Sequence, residues 1–392
     1  MPNPKPETRN PKQVEDPPIL YHPLYSTYSF GANHPANPNK REKLLRLFDA
    51  LGMPISYIEP EPAKDEDILT VHSSEYMHCV ASASSLSWAP GYLRFGLDTD
   101  DVPIFPNMDE AARIQVGGTL LGAKMIVEGK APRVIQFGGG FHHAMPARAA
   151  GFCIFNDLSI AARYFKSQGL RVAYIDIDVH HGDGVQWVHY REPDILTISL
   201  HESGRYLFPN TGFVHEQGEG EGLGASINIP LEQHTDDASY LEAFDRVVPV
   251  ALDQFRPDVL LIAAGVDTHF RDPLAHLMLT TQGLESLFHK LIALSDQYTN
   301  GRALFTQSGG YDDLASIRAW TILIHTLRGT TYPEELPASY IEDVLPELGT
   351  SALPIHDQSE DLPAIPDREK MVEVNRETVD AILDRFSKPR RS

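Results

Sequence analysis

The sequence predicts an α/β fold in which a mostly parallel sheet is covered by helices on both faces. Three observations carry this expectation. Short runs rich in β-branched residues are apolar along nearly their whole length, as strands buried on both faces are. Longer stretches between them place apolar residues at helical spacing. The unusual polar clusters all fall where an apolar run ends, and open parallel sheets form their sites at the carboxyl ends of strands. In chain order, "RVIQF" (133–137) reads as a strand, followed by a glycine loop and the helical "NDLSIAARYFKSQG" (156–169). "RVAYIDID" (171–178) and "DILTISL" (194–200) are the next strands. The helical "SYLEAFDRVVPVALDQF" (239–255) leads to the strand "DVLLIAAG" (258–265). "QGLESLFHKLIALSDQYT" (282–299) is helical and leads to "ALF" (303–305). This β–α alternation favours parallel pairing through helical crossovers.

The two ends read differently. Residues 1–18, "MPNPKPETRNPKQVEDPP", are proline-rich and polar, which predicts a disordered arm and shows no secretory signal. Residues 351–392 read as an acidic linker and a last helix, 368–386, whose Val372, Val379, Ile382, Leu383 and Phe386 form one apolar stripe. That stripe is expected to pack on the body of its own chain. The body itself spans 19–350.

Composition narrows the function classes. The formal net charge of −21 argues against nucleic-acid binding, which needs a basic stripe. It favours solubility and long-range attraction of basic, lysine-bearing partners. No apolar run is long enough to span a membrane. Cys79 and Cys153 are the only cysteines, too few for a disulfide scaffold, so a reducing, cytoplasmic setting is the expectation.

Four polar clusters end strand-like runs: "FGGGFHHAMPARAAGFCIFND", "DIDVHHGDG", "AAGVDTHFRDP" and "TQSGGYDD". Asp176 and Asp178 are two apart on a strand and so point to one side. Two carboxylates there repel unless a cation or donor intervenes. Asp178, His180 and Asp267 supply oxygen, nitrogen and oxygen, the three-ligand pattern that leaves a catalytic zinc one open position. Iron(II) accepts the same donors. His181, adjacent to His180, points elsewhere. His142 and His143 suit acid–base work, with Asp176 and Asp183 as the spare carboxylates to fix their tautomers. Tyr311 offers a phenol to an oxyanion. Phe141, Phe152 and Phe208 are candidate walls of an apolar slot for an extended aliphatic substrate.

These residues resemble the histone deacetylase superfamily, which includes bacterial acetoin-utilisation deacetylases and acetylpolyamine amidohydrolases. "GGGFHHA", "GFCIFND", "DIDVHHGDGVQ", "SLHESGRYLFPNTG", "GVDTH" and "SGGYD" carry the resemblance, which runs from about Ile19 to about Leu327. "GFCIFND" and "HHGDGVQ" look closer to the class I and acetoin-utilisation branch than to the polyamine branch. The resemblance implies an arginase/deacetylase-like three-layer sandwich around an eight-stranded sheet. It implies zinc on Asp178, His180 and Asp267, and paired His142–Asp176 and His143–Asp183, with His143 as general base and acid. It implies Tyr311 as the residue that polarises the carbonyl. Gly151, Phe152 and Phe208 match the channel, and Asp101 matches a rim aspartate that holds the substrate backbone. Asp176, Asp178, His180, Ser199 and Leu200 match a structural potassium site. Phe141 departs from the usual leucine or tryptophan, and Gln307 and Ser308 stand where glycines are common. The basic residue near the inner pocket is either Lys40 or Arg41.

The expected activity is metal-dependent hydrolysis of Nε-acyl-lysine amides in proteins or peptides, releasing carboxylate and lysine. The alternatives are an acetylpolyamine amidohydrolase, an arginase-like di-manganese ureohydrolase built on Asp183, His269 and Asp272, and a non-catalytic acyl-lysine binder. Oligomeric state is left open.

Overall fold

The apolar runs alternate between two interiors. Val172 and Tyr174 face one side of the sheet and Ala173 and Ile175 the other, and all four are buried. Leu260 and Ile262 oppose Val259 and Leu261 in the same way. A strand that must bury both faces has no polar position to spare, which is why these runs lack strand-like polar alternation. In the computed structural model, residues 16–36, 38–86, 91–307 and 309–386 are described.

Eight strands form one sheet: β1 (Ile19–Leu20), β2 (Tyr57–Ile58), β3 (Arg133–Gln136), β4 (Val172–Asp176), β5 (Ile195–Glu202), β6 (Ser226–Leu231), β7 (Val259–Ala263) and β8 (Ala303–Thr306). Their order is β2-β1-β3-β8-β7-β4-β5-β6, and every pairing is parallel. The helices among the described residues are α1 (Lys40–Ala50), α2 (Asp65–Ile68), α3 (Ser74–Ser84), α4 (Met108–Val127), α5 (Asp157–Ser167), α6 (Asp183–His189), α7 (Asp237–Phe255), α8 (Thr281–Thr299), α9 (Asp313–Arg328), α10 (Ala338–Val344) and α11 (Arg368–Phe386). Helices α4 and α5 cover one face through Ala123, Ile126, Leu158 and Phe165. Helices α7, α8 and α9 cover the other through Phe244, Phe288 and Trp320. The result is the three-layer sandwich the sequence predicts. The carboxyl ends of β3, β4, β7 and β8, which lie side by side, deliver all four polar clusters to one edge.

The ends depart from the sequence reading in detail. Residues 1–15 of the expected arm lie outside the described residues, whereas the Pro18 carbonyl accepts from Ile135 N–H and so belongs to the sheet. On α11 the inward positions are Met371, Asn375, Val379 and Ile382, and Val372 is only half-buried. Asn375 faces in because its side chain is matched. Its Oδ1 accepts from Glu232 N–H (2.9 Å) and its Nδ2 donates to Thr235 Oγ1 (2.8 Å) and Ser239 Oγ (3.0 Å). The acidic stretch before α11 is anchored rather than a free linker. Ile355 is buried, and the buried Asp357 carboxylate accepts from Arg318 Nη2 (2.7 Å), His269 Nε2 (2.9 Å) and Thr281 N–H (2.8 Å).

Burial alone would raise the Asp357 pKa, but the hydrogen bond from His269 and the Arg318 charge outweigh it and hold the carboxyl well below its ordinary range. A carboxyl depressed in the fold adds stability that is full above the unfolded pKa, about 4, and declines as pH falls below it. Asp357→Asn is therefore expected to lower the melting temperature at pH 7, with the deficit shrinking as pH falls from about 4 to 3. Melting curves of both proteins across that range check it; a deficit that grows with acidity would contradict the assignment.

Candidate functional site

The loop after β3 is shaped by Asp157, the last residue of "GFCIFND". Its two carboxylate oxygens accept from Gly140 N–H (3.0 Å) and Phe141 N–H (2.8 Å). Gly139 has φ 71°, and a Cβ there would lie 2.3 Å from Asp157 Oδ2, so glycine is required for the loop to close on its anchor. The loop then presents His142 and His143, both buried.

His142 Nδ1–H donates to Asp176 Oδ2 (2.8 Å), and its Nε2 lies 3.8 Å from Asp178 Oδ1. Asp176 also accepts from the Tyr174 hydroxyl and from Asp178 N–H (3.1 Å). Burial works against charge on His142, but Asp176 and Asp178 outweigh it and raise its pKa to about 9. His143 Nδ1–H donates to Asp183 Oδ1 (2.7 Å), at the start of α6. Here burial dominates. It pushes His143 well below its ordinary value, helped by the neighbouring His142 and His180, and pushes Asp183 up to about 7. Two adjacent histidines thus receive opposite environments: one favours the cation, the other a neutral ring whose Nε2 is free to take a proton.

Beyond β4, Asp178, His180 and Asp267 converge, with one ligand atom from each lying within 4.8 Å of the others. His180 Nδ1 is 3.2 Å from Asp178 Oδ1 and 3.3 Å from Asp267 Oδ2. Backbone donors fix both carboxylates: Gly309 N–H to Asp178 Oδ2 (2.9 Å) and Val179 N–H to Asp267 Oδ1 (2.8 Å). Burial and the Asp178 charge push Asp267 up, while the two aspartates hold His180 up to about 10 against its burial. The donor set is short of positive charge and fits a divalent cation. Gly309 makes the cradle: a Cβ there would meet Asp267 Oδ2 at 2.0 Å and Asp178 Oδ2 at 2.4 Å. His181 turns away and pairs with Thr211 Oγ1 (2.8 Å).

Tyr311 follows Gly310, whose φ is 138°. Its backbone N–H donates to Asp272 Oδ2 (2.7 Å), and its ring is edge-on to His180 at 6.3 Å and to Phe152 at 5.7 Å. Phe208 stands against His143 at 5.0 Å and His180 at 6.5 Å. Phe152 and Phe208 therefore flank the converging polar groups, and Phe141, stacked on Tyr28, lines the deeper cavity. Asp101 Oδ2 accepts from Gly151 N–H (2.8 Å), which ties these two rim residues together. Ser199 is paired across the sheet with Asp176, and Leu200 follows it, buried. Lys40 and Arg41 both line the inner cavity. The Lys40 ammonium donates to the Gly310 carbonyl, and burial followed by the Arg41 charge pushes its pKa down to about 8. Ser308 lies outside the described residues.

The residues proposed for a second metal do not gather into a second metal cluster. Asp183 is held by His143, His269 by Asp357 and Asp272 by the Tyr311 backbone. Among the described residues, Asp178, His180 and Asp267 form the one cluster able to hold an ion. Sequence reasoning missed Tyr174 and Asp157. Tyr174 was legible in principle, since it shares a strand face with Asp176 two residues on. Asp157 was legible only as the end of a motif.

The histone deacetylase domain family matches residues 34–327. The acetoin utilization protein AcuC of Bacillus subtilis (strain 168) is 38% identical over 381 residues, covering 94% of this chain and 97% of that protein. AcuC of Staphylococcus aureus (strain MRSA252) is 39% identical over 300 residues, covering 75% and 77%. A crystal structure of an HDAC homologue complexed with SAHA matches with a TM-score of 0.81 at 27% identity, over 93% of this chain and 100% of that one. An HDAC homologue from Aquifex aeolicus matches with a TM-score of 0.80 at 27% identity, over 92% and 100%.

The Gly309 cradle generates a direct expectation. Gly309→Ala forces the added methyl against both carboxylates, so zinc affinity should fall by about 10–100-fold, the range seen when the support of metal ligands is disturbed. Competition against a chelator measures it. Parental affinity in the variant would show that the carboxylates do not hold the ion.

Proposed function

The chain belongs to the histone deacetylase family, in its acetoin-utilisation branch, and on that premise we propose that it hydrolyses the amide of Nε-acylated lysine in proteins or peptides. The observation that carries the reading is the meeting of three groups at one point. These are a three-ligand cluster, a buried neutral histidine paired to a carboxylate, and a tyrosine across from it, all flanked by Phe152 and Phe208. A pure acyl-lysine binder needs the aromatics but has no use for His143–Asp183 beside Asp178, His180 and Asp267.

Asp178, His180 and Asp267 would hold zinc, and iron(II) accepts the same donors. Such an ion supplies Lewis acidity, polarising a carbonyl and lowering the pKa of water. His143 accepts the proton of the attacking water at Nε2 while Asp183 keeps its Nδ1 protonated. Tyr311 donates its hydroxyl proton in a hydrogen bond to the developing oxyanion. His143 then returns its proton to the lysine nitrogen as the amide bond breaks. His142, hydrogen-bonded to Asp176 through Nδ1, lies beside His143 and presents its Nε2 toward Asp178. Phe152 and Phe208 hold the lysine methylenes, and Asp101 with Gly151 meets the substrate backbone at the rim. Asp176, Asp178, His180, Ser199 and Leu200 are proposed to hold a structural potassium ion, supported by the cross-strand pairing of Asp176 with Ser199.

Turnover of acetyl-, lactoyl- and butyryl-lysine peptides, set beside acetylated polyamines, tests the substrate class. Turnover of the peptides supports the reading, and turnover confined to polyamines would overturn it. Two variants test the roles. Tyr311→Phe keeps the ring but removes the donor, so kcat should drop by roughly 10²–10³ with metal content and peptide affinity preserved. A near-parental rate would refute the oxyanion role. His143→Ala should lose most of the rate while keeping its metal; metal loss would show that His143 is a ligand rather than a base.

A further inference from the structure

The matched family domain ends at residue 327, yet a residue thirty positions further on reaches the loop that carries Asp267. That residue is Asp357. Its Oδ1 accepts from Arg318 Nη2 (2.7 Å), and its Oδ2 accepts from Thr281 N–H (2.8 Å) and His269 Nε2–H (2.9 Å). The orientation of His269 is fixed from the other side, since Arg271 N–H donates to its Nδ1 (3.2 Å). His269 lies two residues from Asp267 and is buried. The loop closes on it: His269 N–H donates to the Val266 carbonyl, and Asp272 N–H donates to the His269 carbonyl. The same loop then reaches Tyr311, whose backbone N–H donates to Asp272 Oδ2 (2.7 Å).

We infer that Asp357 is a positioning residue for the site: by fastening His269 it holds the loop that aims Asp267 into the ion cluster and Asp272 onto Tyr311. The inference rests on the reading of Asp178, His180 and Asp267 as metal ligands. The loop from Val266 to Thr280 contains no regular strand or helix of its own, so its shape depends on such fastenings. Asp357 binds the loop near its start through His269 and the first residue of α8 through Thr281, and the Arg318 guanidinium ties it to α9. The segment following the family domain is thereby part of the site's support, and ligand-supporting hydrogen bonds of this kind govern metal affinity.

The test uses the full chain, stripped of metal and titrated with cobalt(II), whose visible absorption reports the geometry of its ligands. Asp357→Asn keeps the side-chain shape, and His269→Ala cuts the link while leaving Asp357 to Arg318 and Thr281. Both should weaken cobalt binding by roughly 10-fold and shift the absorption bands. The double variant should lose no more than the more strongly affected single, because both changes break the His269–Asp357 connection. Arg376→Ala, which removes a surface ion pair between α11 and Glu242, should leave affinity and spectrum unchanged. If Asp357→Asn fails to fold, His269→Ala decides alone. Parental cobalt affinity and spectrum in His269→Ala would overturn the inference, even with a lowered melting temperature. A parent chain that takes up no cobalt would instead overturn the metal reading on which the inference rests.

Discussion

Everything at the site depends on the burial of anionic side chains at the end of an apolar strand. Asp176, Asp178 and Asp267 are 0%, 2% and 0% exposed. Carboxylates taken out of water are tolerated only where charge or donors meet them. The fold supplies backbone N–H groups from Val179, Asp178, His180 and Gly309, a hydroxyl from Tyr174 and the ring of His142. Among the described residues, Asp178, Asp267 and His180 converge with one ligand atom from each within 4.8 Å of the others. This donor set could hold a divalent ion, and Gly309 is required because a Cβ there would meet Asp267 Oδ2 at 2.0 Å and Asp178 Oδ2 at 2.4 Å.

That constraint also separates the two histidines. His142 lies against Asp176 and Asp178 and is drawn toward the cation. His143, one residue on, is turned to Asp183, and burial keeps it neutral. The difference is one of position relative to β4, and the glycine loop anchored on Asp157 fixes it. The fold thus produces an acid–base asymmetry from a repeated residue, and in the proposed reaction the neutral ring is the one that moves protons.

The strands that bury both faces were legible because their composition has no other solution: β3, β4, β5, β7 and β8 lie within the expected runs to within a few residues. The convergence of Asp178, His180 and Asp267 was legible because strand ends in a parallel sheet share one edge. Other features were not. β1 and β2 are two residues each and carry no period to read. β6, "SINIPL", contains polar residues and a proline, which an edge strand tolerates and a sequence pattern penalises. Asp357 looks like part of an acidic linker in the sequence because its partners lie 39, 76 and 88 residues away in the chain. The apolar pattern puts Val372 on the inward stripe of α11, where the structure has Met371 and Asn375, since an apolar count cannot anticipate a buried asparagine with matched hydrogen bonds.

In the proposed reading, Asp178, His180 and Asp267 hold one divalent ion whose charge offsets that of the buried aspartates. Calorimetric titration of the metal-free chain with zinc tests it most directly. Saturation is expected at one equivalent per chain, with that binding lost in Asp267→Ala. Saturation at two equivalents, or undiminished binding in the variant, would contradict it.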